Sequence, residues 1–111
     1  MKLLTKVIET KLRANSTDFQ DGESDHVPVL KLFTPWGAST WLLTELDEDG
    51  RLFGLCDLGF GSPELGYVSL DEIKSVTGPF GLKIERDMHW KGDKPISVYA
   101  EEARSKGRIA A

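Results

Sequence analysis

Four strand-like segments follow one another between Val27 and Leu70, and the links between them are too short to hold a helix. VPVLKLFT (27–34) is rich in β-branched and apolar residues, and TPWG (34–37) turns the chain through Pro35 and Gly37. STWLLTEL (39–46) alternates, with Trp41, Leu43 and Glu45 on one face and Thr40, Leu42 and Thr44 on the other. DEDG (47–50) ends in Asp49-Gly50, a strong hairpin signal, and RLFGLCDLG (51–59) is the returning strand. GFGSP (59–63) then leads into ELGYVSL (64–70). Parallel neighbours need a crossover of about a dozen residues or more, so these segments predict an antiparallel meander. Strands 29–33, 40–45 and 52–58 carry apolar residues on both faces and should be central, with loops partly covering the second face.

Helical spacing brackets this core. Leu3, Leu4, Val7, Ile8 and Leu12 recur on one side of an amphipathic helix over residues 2–14. The polar stretch NSTDFQDGESDH after it reads as a surface loop, with Phe19 pinning it to the body. Ser69 followed by Glu72 has capping-box spacing and starts a short helix over 70–76, which GPFG (78–81) ends. LKIERDMHW (82–90) alternates as a fifth strand. KGDKP (91–95) turns, and Asp93 is placed to cap a closing helix over 95–106. The order predicts a single α+β domain over 1–111: an antiparallel sheet of about five strands, with N-terminal, short middle and C-terminal helices mainly on one face.

Charge and cysteine usage narrow the function. The net charge of −4 does not suit a protein that lives by broad phosphate contact. No apolar run approaches the ~20 residues of a membrane span, and Lys2, Lys6, Glu9, Lys11 and Arg13 interrupt any leader-like stretch. The lone Cys56 permits no internal disulfide and fits a reducing, cytoplasmic setting.

Each chemical motif has a competing structural explanation. Glu45, Asp47, Asp49 and Gly50 imitate a calcium loop, but Cys56 stands where its bidentate carboxylate belongs, and a hairpin turn accounts for the same residues. Gly59, Gly61 and Gly66 fit neither phosphate-loop spacing. His26, His89 and Cys56 are scattered, so neither a metal nor a cofactor is expected. Cys56 lies in an apolar run and reads as a core thiol. Pro63-Glu64 with Glu72-Ile73-Lys74 resembles a restriction-type arrangement, yet the second half falls in the short helix. A divalent-metal nuclease would instead gather Glu64, Glu85 and Asp87, with Asp57 near them. Binding without chemistry would use aromatic rings, Trp36 in its turn with Phe60 and Phe80 in glycine-flanked loops, beside the basic Lys91, Lys94, Arg104, Lys106 and Arg108.

Arg86 breaks the pattern of its strand, because period two puts it on the apolar face with Ile84. A guanidinium there needs partners. Glu64 or Asp57 would make it a partly buried ion pair, a pocket floor beside Tyr67 would make it an anion-binding residue, and a bulge or the strand end would simply turn it outward.

The landmarks Phe33-Thr34-Pro35, Thr40-Trp41, Phe53-Gly54-Leu55, Pro63-Glu64-Leu65-Gly66-Tyr67, Ser69-Leu70, Gly81-Leu82 and Ile84-Glu85-Arg86-Asp87 resemble a family of small bacterial proteins, domain of unknown function 2958. The resemblance implies a setting on plasmids and integrative elements, near genes for DNA transfer or maintenance. Some relatives carry the label of single-stranded DNA endonuclease. No catalytic or binding residue comes with the family. The expectation is therefore a non-enzymatic accessory or interaction module of a mobile genetic element. A protein is its expected partner and single-stranded nucleic acid the second, with no membrane partner; the alternative is the single-stranded DNA nuclease.

Overall fold

The DEDG turn sets the sheet. Asp47 Oδ1 accepts hydrogen bonds from the backbone N–H groups of Asp49 (3.0 Å) and Arg51 (2.9 Å), while Oδ2 accepts from Arg51 Nε at 2.8 Å. Gly50 takes the left-handed conformation the turn demands, at φ 78°. These bonds to the charged form, the Arg51 N–H first, hold the Asp47 carboxyl below its ordinary pKa. Residues that imitate a calcium loop are thus spent on closing a hairpin.

A computed structural model describes residues 2–17 and 25–111. Its elements are α1 (Lys6–Thr17), β1 (Leu30–Phe33), β2 (Thr40–Leu46), β3 (Arg51–Asp57), β4 (Glu64–Ser69), α2 (Leu70–Ser75), a 3₁₀ turn (Pro79–Gly81), β5 (Glu85–Arg86) and α3 (Ile96–Lys106). The strands form one antiparallel sheet in the order β4-β3-β2-β1-β5, an α+β fold with the long meander strands inside. Among the described residues, no helix is long and apolar enough to cross a membrane. Phe19 lies outside the described residues.

One extra residue in β2 alters the expected faces. Leu43 pairs with Gly54 but Glu45 with Phe53, so Thr44 is a bulge. The fully buried Thr44 donates its hydroxyl to the Phe53 carbonyl at 3.2 Å, and its own carbonyl accepts Asn15 Nδ2 at 2.9 Å. Beyond the bulge the alternation changes phase: Leu46 joins Trp41 and Leu43 in the core, and Glu45 turns to the opposite face.

Both faces of the sheet are covered. α1 and α2 lie on one, where Leu12, Leu70 and Ile73 pack with Leu32, Leu43, Leu52 and Ile84. α3 lies on the other, where Ile96, Tyr99, Ala100 and Ala103 cover Leu42 and Leu55. Two helices therefore share a face as expected, and a helix rather than loops closes the second.

Several boundaries move for local reasons. α1 starts at Lys6, not residue 2, because the Thr5 hydroxyl accepts the Ile8 N–H at 3.1 Å, an N-cap bond. It runs on through Asn15, which the bond to Thr44 buries. The Ser69 cap forms as expected, accepting from the Glu72 N–H at 3.2 Å. Asp93 does not cap α3: its carboxylate accepts the Tyr99 hydroxyl at 2.7 Å, and Asp25 accepts the Ser97 N–H at 3.0 Å instead. The fifth strand shrinks to Glu85–Arg86. Asp87 Oδ1 accepts the His89 N–H at 3.1 Å, which turns the chain away and leaves Met88 exposed.

Candidate functional site

The three nuclease carboxylates do not converge. Glu64 stands on β4 at one edge of the sheet, and Glu85 on β5, with Asp87 just after it, at the other. Four strand spacings separate the edges, roughly 19 Å. Asp87 approaches Lys31 at 4.0 Å, and Asp57 accepts the N–H groups of Gly59 and Ile109, both at 2.9 Å. Among the described residues no cluster of three His, Cys, Asp or Glu side chains has metal-holding geometry. Cys56 is partly buried, and burial pushes its thiol up to about 11, which suppresses the thiolate a nucleophile needs.

Arg86 takes the apolar face that its period assigns, opposite Leu32. Its Nη1 donates to the carbonyls of Lys2 and Leu3, each at 3.1 Å, rather than to Glu64 or Asp57. Arg86 is thus a clasp for the segment leading into α1. Tyr67 lies across the sheet, its ring tilted against Phe53 at 5.0 Å with the Arg51 guanidinium 4.9 Å from its centre. It does not share a pocket with Arg86.

Trp36 is half-buried rather than an open ring. It rests on Gly78 so closely that a Cβ there would fall 2.4 Å from Trp36 Cδ2. Among the described residues, the exposed aromatic rings outside the strands are Phe60 and Phe80, the latter in a left-handed conformation at φ 58°, uncommon for a residue with a side chain.

The α1/α2 face leaves a cleft open. One part, about 360 Å³, is lined by Trp36, Trp41, Leu58, Val76 and, at its polar margin, Glu72. The adjoining part, about 440 Å³, is lined by Leu3, Leu4, Lys2, Lys74 and Lys83. Ile73 and Ile84 belong to both, so the two parts share a wall. Trp41 is 6% exposed, and its Nε1–H is buried with no acceptor among the described residues. An unmet buried donor costs on the order of 1–3 kcal/mol. Sequence order hides this site, because its walls come from the start of the chain, the TPWG turn and α2 through β5. The signal available was Trp36 and Trp41 at either end of one turn.

No curated protein and no solved structure matches the chain. A family model covering residues 3–110 does match, and its span is nearly the whole sequence: the chain belongs to the proteins of unknown function DUF2958.

Proposed function

We propose that this chain is a non-enzymatic interaction module of a mobile genetic element, working in the cytoplasm and docking a protein partner in the α1/α2 cleft. The observation that carries the reading is the cleft itself, an aromatic half and a lysine-lined half that share the Ile73 and Ile84 wall. The dispersed carboxylates supply no competing centre, since Glu64 and Glu85 occupy opposite edges of the sheet. The mobile-element setting rests on the family's usual company, and the compartment on the unpaired Cys56.

The test is affinity capture from a host carrying the element, with wild type beside Val76→Glu, a charge placed at the half-exposed cleft wall. A defined protein retained by wild type and lost by the variant supports the reading. In parallel, the protein is incubated with labelled single-stranded DNA and Mg²⁺ or Mn²⁺. Cleavage that disappears in Glu64→Gln and Glu85→Gln would overturn it in favour of the nuclease.

A further inference from the structure

The charge along the cleft is uneven, and that unevenness describes its occupant. The chain as a whole is acidic, at −4. The basic half nevertheless presents Lys2, Lys74 and Lys83 against one carboxylate, Glu9, which Arg13 already holds at 2.9 Å. Lys83 donates to Thr77 Oγ1 at 2.6 Å, and an ammonium has two further protons to give. The aromatic half carries the opposite sign, from Glu72. Trp41 forms part of its wall.

From this we infer that the cleft binds an extended peptide segment of the partner protein, with apolar side chains against Trp36 and Val76 and carboxylates against Lys74, Lys83 and Lys2. The inference rests on the docking function proposed above and names its ligand. Charge separates a peptide from a nucleic acid here. A single strand carries a phosphate at every nucleotide and would set some of them against Glu72, whereas a peptide can confine its charge to one end. Arg86 contributes indirectly, as a positioning residue that ties down the Lys2–Leu3 wall.

A random-peptide display selection against the immobilised protein tests this. Enriched peptides are then labelled and titrated by anisotropy against wild type, Lys74→Glu/Lys83→Glu and Val76→Glu, with labelled oligothymidylate alongside. Far-UV circular dichroism and thermal unfolding check that the variants fold. The expected peptides carry an apolar group followed by Asp or Glu. The lysine reversal should weaken them by about tenfold at low salt, and by less as salt is added. Val76→Glu should weaken them as well, and peptides with glutamine for glutamate should bind weakly and ignore the lysine reversal. Peptides that depend on Val76 but show no acidic preference would overturn the inference and leave the docking function standing. Oligothymidylate that binds more tightly than any peptide and is lost with the lysines would overturn it in favour of nucleic acid. If Val76→Glu abolishes no peptide's binding, both the inference and docking at this cleft fail.

Discussion

The two faces of the sheet share the same interior strands and are closed to different degrees. Beneath α3 the buried Asp57 and Tyr99 both have hydrogen-bond partners. Asp57, 3% exposed, takes the Gly59 and Ile109 N–H groups, and the Tyr99 hydroxyl donates to Asp93 while accepting the Asp93 N–H at 3.1 Å. Ala100 and Ala103 let that helix sit close to Leu42 and Leu55. Beneath α1 and α2 the packing stops short and leaves a cleft with Trp36 and Trp41 in its wall. A closed layer favours stability, whereas an open cleft leaves apolar wall that a bound segment can cover. Substitutions on the α3 face should therefore change stability and spare docking, while those around the cleft should change both.

The largest effect is expected at Asp57. Asp57→Ala leaves the Ile109 and Gly59 N–H groups without their acceptor and should cost about 3 kcal/mol in urea unfolding. Affinity for a cleft-binding peptide should be unchanged in the folded variant. A parallel loss of affinity would show that the two faces are coupled.

Arg86 comes next and brings the cleft into the comparison. A buried ion pair would cost about 3–5 kcal/mol to break. The observed acceptors are two carbonyls near the surface, so Arg86→Met should cost about 2 kcal/mol and also weaken peptide binding by loosening the Lys2 wall. Denaturation of Arg86→Met near the larger figure would restore the ion-pair reading.

Gly78→Ala should cost about 1–2 kcal/mol, because the new methyl group forces the Trp36 ring off its seat. Tryptophan emission should shift, and docking should fall by more than the stability change alone explains. An unchanged spectrum would mean that Trp36 is not fixed by Gly78.

How much of this was legible in the sequence differs between the two faces for physical reasons. Antiparallel order, the central strands and the side taken by Arg86 are all consequences of short connections and period two. The acceptors of Arg86 are not, because backbone carbonyls carry no residue identity. The Thr44 bulge left no mark either, since one inserted residue preserves the local alternation while reversing the faces of Glu45 and Leu46 beyond it. Apolar residues on both sides of β2 and β3 announced two buried faces, yet the alanines of α3 gave little sign of which helix would close the second. The cleft was the least legible feature, because chain folding alone brings Leu3, Trp36, Ile73 and Ile84 to one place.

Glu45 offers the smallest effect and the finest test of the α3 face. The bulge turns it opposite Phe53, on the α3 side, where it is 9% exposed. Burial raises its carboxyl above the ordinary 4.5; the nearby His26 and a hydrogen bond with Thr44 act against that, and Asp47 adds to it. A raised folded-state pKa means that the native protein holds this proton more tightly than the unfolded chain does. The resulting stabilisation is complete below the unfolded value and is lost as pH rises through the folded one. At neutral pH the ionised Glu45 is therefore a residual cost on the α3 face. Glu45→Gln removes the charge and keeps the shape, so it should raise the unfolding temperature slightly at neutral pH. That advantage should vanish as the pH falls through the carboxylate range and wild-type Glu45 becomes neutral. Thermal unfolding of both proteins across that range checks it. A variant less stable than wild type at neutral pH would show that Glu45 is held by charge, not tolerated despite it.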